Sequence, residues 1–169
     1  MDAAGWIKLS SHLLFIAFII YLLGSFIFVI SILGKKWSNR DPEEHQRKWG
    51  RLGILFAFLG MLAHLGYVLS RWLGQGHIPL TSMFEYMTFL ALTIIIAFLI
   101  IYKLYGVTSL GAFVLPLTLT LIGWASVFDQ SPTPLIPALQ SNWLTFHVSL
   151  TALSQGIFAV SFAAGLMYV

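Results

Sequence analysis

Long uncharged apolar runs alternate with short polar ones along the chain, and the runs predict its architecture. Five approach or reach the ~20 mostly apolar residues that a helix needs to cross a bilayer: residues 13–33, 52–70, 87–102, 110–128 and 144–169. The third is the shortest, with room to begin earlier. Between them lie a basic loop, GKKWSNRDPEEHQRKWGR, a longer loop, RWLGQGHIPLTSMFEY, a tight turn, KLYGVTS, and a Pro-rich loop, DQSPTPLIPALQSNW. None has room for a soluble domain. The pattern predicts an all-α, polytopic helical membrane protein with about five transmembrane helices, one integral membrane domain over residues 1–169. The first run is too long for a signal peptide and lacks a basic flank and a small-residue cleavage site, so it is expected to be retained. The last run has no closing charged flank, and a further C-terminal part is expected.

Composition narrows the class. Hydrophobic residues make up 59% of the sequence and charged residues 9%, proportions foreign to a soluble domain. The formal charge is +3, but six of the nine Lys and Arg residues fall between Lys35 and Arg51. The second loop has only Arg71 and the fourth has neither Lys nor Arg. This asymmetry predicts an N-terminus outside and the basic loop inside, with the lipid bilayer as a partner and no nucleic acid. The expected location is a bacterial plasma membrane, with the functional face outside. Trp6, Trp37, Trp49, Trp72, Trp124 and Trp143 fall near expected helix ends, as interfacial aromatics do. The chain has no cysteine, which excludes disulfides, thiolate metal sites and thiol-redox chemistry of its own.

Histidines carry the candidate chemistry. In the expected topology His12 lies at the outer mouth of the first helix, His77 in the second outer loop and His147 at the outer start of the fifth helix. His64 lies seven residues before Arg71, so ~10 Å below that boundary at 1.5 Å per residue. His45 sits in the charged loop, as an ordinary solvated residue. Imidazole suits haem iron, whereas no HExxH, HxH or Asp-rich loop supports zinc or calcium. Position alone leaves two readings for His147, an axial ligand or an interfacial histidine bonded to a loop carbonyl. An intramembrane histidine such as His64 is suspected of function by default, and a neutral ring bonded to a neighbouring helix is the plainer account. Glu85, at the entrance to the third helix, is placed to pair with Arg71 across the loop. Near a bound haem, Arg71 would instead balance a propionate. Pro116 is expected to kink the fourth helix, and Pro132, Pro134 and Pro137 to stiffen the loop that presents Trp143 and His147. Ala159 and Ala163 hint at close packing of the fifth helix.

RWLGQGHIPLTSMFEY, with its Arg-Trp, Gly-His-x-Pro and Phe-Glu elements, and LQSNWLTFHVSLTALSQGIFAVSFAAGLMYV, with Trp143 and His147 at their spacing, resemble the CcsA/ResC family of cytochrome c assembly proteins. The likeness runs from about Leu52 to the end. It implies a haem-handling membrane subunit of the system II pathway, with His147 as an external axial ligand to a transient b-type haem. Trp143, His64, His77, Arg71 and Glu85 are the further cofactor-binding candidates. Family members complete the site with a W-G-x-x-W-x-W-D motif, a second external histidine and a histidine in a later helix, none of which occurs in this sequence. The implied partners are a Ccs1/ResB-type membrane subunit and apocytochrome c, with ligase activity belonging to the assembled complex and not to this chain alone. Two other classes stay open. A b-type electron-transfer subunit would pair histidines at matched depth, where only His64 stands, and a membrane transporter would place several ionisable groups near the midplane.

Overall fold

A computed structural model describes residues 2–34, 42–132 and 141–168. The described residues form five helices and no strand: α1 (Ala3–Leu33), α2 (Pro42–Gln75), α3 (Met83–Tyr105), α4 (Gly111–Ala125) and α5 (Asn142–Tyr168). Each covers most or all of one expected run. Four are long and apolar enough to cross a membrane. The 15-residue α4 extends only about 22 Å at 1.5 Å per residue, short of a ~30 Å hydrocarbon core. The chain is an integral membrane protein of polytopic helical type.

The boundaries depart from the apolar runs because charged and hydroxyl residues are accommodated within helices. α1 starts ten residues before its run: the Asp2 side chain caps it, accepting from the Gly5 backbone N–H at 3.1 Å. His12 therefore stands within α1 and not at its mouth, with Nδ1 2.7 Å from the Lys8 carbonyl. The second half of the basic loop is likewise the beginning of α2. Proline is preorganised for a first helical position, so α2 opens at Pro42 despite the charged residues that follow. This corrects the reading of His45 as a solvated loop residue. Its Nε2 lies 3.4 Å from the Ile30 carbonyl of α1, with its ring against Trp49. α2 also continues one turn beyond Arg71, to Gln75, and α3 begins at Met83, so the second loop shrinks to residues 76–82. Gly76 and Gly106, which follow α2 and α3, have φ of 77° and 72°, a left-handed conformation open to glycine at no steric cost. Lys35, Lys36, Trp37 and Arg40, and the expected stiffening prolines Pro134 and Pro137, lie outside the described residues.

The helices run up and down, and α1 lies along α2 while α3 contacts both α4 and α5. The core between them is apolar and interlocked. Phe28 of α1 meets Phe98 of α3 edge to ring at 6.1 Å, and its ring also lies against Gly53 and Gly111. On α5 the buried side is a stripe of small residues, with Ala152 and Ala163 almost wholly buried. Between them sits Gly156, where a Cβ would lie 2.6 Å from Thr93 Oγ1 and 2.9 Å from its carbonyl carbon. No larger residue fits without separating α5 from α3. The Thr93 hydroxyl also donates to the Ala152 carbonyl at 3.0 Å, and Tyr86 donates to Gln155 Oε1 at 2.7 Å. Of the pair expected to pack closely, Ala163 is buried and Ala159 partly buried against the core, while the tightest approach is at Gly156, which the sequence pattern did not single out. Apolar side chains cover the outward faces, among them Phe15, Phe26, Ile100 and Phe158, as a lipid-facing surface requires.

Candidate functional site

The start of α1, the end of α2, the start of α3 and the end of α4 meet at one end of the bundle, where Arg71, His77 and Glu85 lie. Trp143 and His147 stand on the first turns of α5. The candidates thus divide into a buried polar network and an exposed helix face.

The network is centred on Glu85. Ser82 caps α3, its hydroxyl accepting from the Glu85 backbone N–H at 3.2 Å, and this places the carboxylate in the first turn, where the helix dipole favours it. Glu85 Oε1 accepts from Arg71 Nε at 2.8 Å and Gln75 Nε2 at 2.7 Å. Oε2 accepts from the Thr81 backbone N–H at 3.0 Å and the Thr81 hydroxyl at 2.7 Å. Arg71 also donates from Nη2 to the Gln130 carbonyl at 2.8 Å, and its guanidinium sits over the Phe84 ring. The pair is fully buried, with 1% and 0% of the side chains exposed. Desolvating two charges is tolerable only when their hydrogen bonds are satisfied, and both carboxylate oxygens are. The network ties α2, α3 and the segment after α4 together. The ion pair across the loop was legible in the sequence, whereas Gln75, Thr81 and Gln130 were missed as neutral polar residues. His77 stands in the same loop, partly exposed, with Nδ1 3.2 Å from the Ile78 carbonyl.

The exposed face belongs to α5. Trp143, Phe146 and His147 are spaced i, i+3 and i+4, so they share one side of the helix. Trp143 is 77% exposed and packs its ring 5.8 Å from that of Phe146, itself 59% exposed. The His147 ring is exposed and makes no hydrogen bond among the described residues. One imidazole without a hydrogen bond among the described residues, beside an aromatic surface, has the chemistry to hold one face of a haem: a ring nitrogen for the iron and ring surface for the macrocycle. A second axial ligand is not supplied nearby, and no group of three His, Cys, Asp or Glu residues with metal-binding proximity exists among the described residues.

His64 lies apart, two turns deeper in α2 and wholly buried. Its Nδ1 is 3.5 Å from the Tyr21 hydroxyl of α1, and its ring contacts Tyr67, whose hydroxyl bonds Thr88 of α3 at 3.0 Å. The plainer reading, a ring bonded to a neighbouring helix, describes that contact. Nε2 has no hydrogen-bond partner among the described residues. Tyr21, Tyr67 and Thr88 carried no sequence signal beyond lying in apolar runs.

Comparison with known proteins decides the family. A cytochrome c biogenesis protein CcsA from Trieres chinensis is 34% identical over 153 residues, covering 88% of this chain and 46% of the relative. Another, from Synechocystis sp., is 32% identical over 158 residues, 91% of this chain and 44% of the relative. The chain belongs to the CcsA family. A third CcsA, from Mesostigma viride, is 37% identical over 108 residues, 60% of this chain. The chain spans less than half the length of these CcsA relatives. No protein-family profile and no solved structure matches it.

Proposed function

We propose that this chain serves cytochrome c biogenesis by holding haem at the outer face of a bacterial plasma membrane, for covalent attachment to apocytochrome c. The observation that carries the reading is the unpartnered His147 ring beside Trp143 and Phe146 in a CcsA-family chain. His147 would ligate the iron of a bound haem, and the Trp143 ring would offer apolar surface to the macrocycle. Haem supplies the vinyl groups that react with the thiols of the substrate protein, so a chain without cysteine needs no nucleophile of its own. Its contribution is to orient the haem and to keep the iron ligated. Arg71 and Glu85 neutralise one another, and their role is to hold the loop and the α3 entrance in place. His77 lines a cavity of about 560 Å³ with Gln75, Lys8 and Pro132. His64 is a packing residue, or a station for haem at membrane depth through its open Nε2. The expected partners are a Ccs1/ResB-type subunit and apocytochrome c, and ligation is an activity of that system II complex.

The test is the reduced-minus-oxidised absorption spectrum of the purified chain beside His147→Ala, with and without imidazole. A haem band lost in the variant and restored by imidazole supports His147 as the axial ligand. A band of equal size in both proteins refutes it.

A further inference from the structure

The basic end of the bundle has a feature that haem handling at the opposite end does not use. We propose that it binds an anionic phospholipid, with the headgroup phosphate on Arg51 and Lys103 and one acyl chain lying between α2 and α3. Arg51 and Lys103 both line a cavity of about 550 Å³ whose remaining wall is apolar or aromatic, including Leu55, Phe58 and Leu99. A second cavity, of about 520 Å³, shares Arg51 and Leu55 and adds Arg47, Lys48 and Trp49. The two join a cationic mouth to an apolar furrow.

Three arguments select a lipid. The first is charge. Arg51 follows Arg47 by four residues and Lys48 by three on α2, spacings at which like charges repel, and Lys103 shares a cavity with Arg51 from α3. Among the described residues, Glu44 is the one carboxylate lining either cavity, and the only ion pair is at the other end of the bundle. An anion at the mouth relieves this excess.

The second argument is length. From Arg51 to Met61, which also lines the furrow, α2 rises ~15 Å, half of a ~30 Å hydrocarbon core. The furrow thus runs the depth of one leaflet, the reach of a single acyl chain from a headgroup at the interface. The third is location. Trp49 marks the interface beside the cations, as interfacial tryptophans do, and basic pockets between membrane helices on the positively charged side are suited to anionic headgroups.

Native mass spectrometry of the delipidated chain, titrated with phosphatidylglycerol or phosphatidylcholine, tests this. The expected result is a preference of about tenfold or more for phosphatidylglycerol, from ion pairing at two cations. That preference should vanish in Arg51→Gln/Lys103→Gln, while the unfolding temperature without lipid stays unchanged. Leu55→Trp, which fills the furrow and leaves the charges intact, should also weaken phosphatidylglycerol retention. Equal retention of both lipids, or a preference that survives the double substitution, overturns the proposal. Displacement of the lipid by millimolar inorganic phosphate overturns the acyl-chain assignment. Loss of copurifying haem from the double variant, with lipid retention unchanged, assigns the furrow to haem and overturns the lipid.

Discussion

Arg71 and Glu85 stand within the bundle, tied to each other and to Gln75, Thr81 and the Gln130 carbonyl, whereas His147 sits on an exposed helix face with no hydrogen bond to its ring among the described residues. All three drew attention in the sequence for the same reason, a polar side chain at the edge of an apolar run. Their environments separate them. A buried carboxylate whose two oxygens each accept two hydrogen bonds has no capacity left for a ligand, and its removal strands a buried cation. An exposed imidazole near aromatic side chains, with no hydrogen bond to its ring among the described residues, costs the fold little to remove. Within this family sequence, hydrogen-bond satisfaction distinguishes scaffold from site where position along the chain does not.

Substitutions that sharpen the contrast run from severe to negligible in their effect on stability. Glu85→Ala leaves the Arg71 charge buried without its partner, and a loss of ~3–5 kcal/mol is expected, read as a large fall in the unfolding transition of the detergent-solubilised protein. The double substitution Arg71→Met/Glu85→Leu should recover most of that loss, because no charge is left stranded. A small effect of Glu85→Ala alone, below about 1 kcal/mol on a scale where a lost buried pair costs several times more, would break the scaffold reading. Gly156→Leu comes next: overpacking against Thr93 should cost ~1–3 kcal/mol and loosen α5, seen as faster amide exchange in α5 than in α1. Tyr86→Phe removes the hydroxyl that Gln155 accepts from, at a cost of about 0.5–1.5 kcal/mol in the same unfolding assay. His147→Ala should leave stability within about 0.5 kcal/mol, while abolishing haem retention.

The interiors of the helices were legible because lipid-facing and core-facing surfaces are both apolar, which makes each span a continuous run. The same fact hid their ends. Residues 42–51 read as loop because of their charge, although Pro42 followed by Glu43 and Glu44 is a recognisable helix start. Ser82 followed three residues later by Glu85 was the matching signal for α3, but here the glutamate side chain turns to Arg71 and Thr81 instead of closing back on Ser82. The Arg71–Glu85 pair was readable from opposite charges flanking a short loop. Its neutral partners were not, because Gln75 and Thr81 acquire their role only when α2 runs a turn past Arg71 and brings them around the carboxylate. Tyr21 and Tyr67 escaped for a different reason: their hydroxyls meet His64 and Thr88 through helix register, which no pattern within one run encodes. His147 and Trp143 stood out by spacing and family likeness, and the structure adds that both side chains are exposed.

The contrast is tested most directly by measuring haem content and unfolding temperature on the same preparations of the unsubstituted chain, His147→Ala and Glu85→Gln. The account predicts that His147→Ala loses its haem and keeps its unfolding temperature, whereas Glu85→Gln unfolds at a clearly lower one. Full haem content in His147→Ala, or an unfolding temperature that falls with that substitution and not with Glu85→Gln, would contradict it.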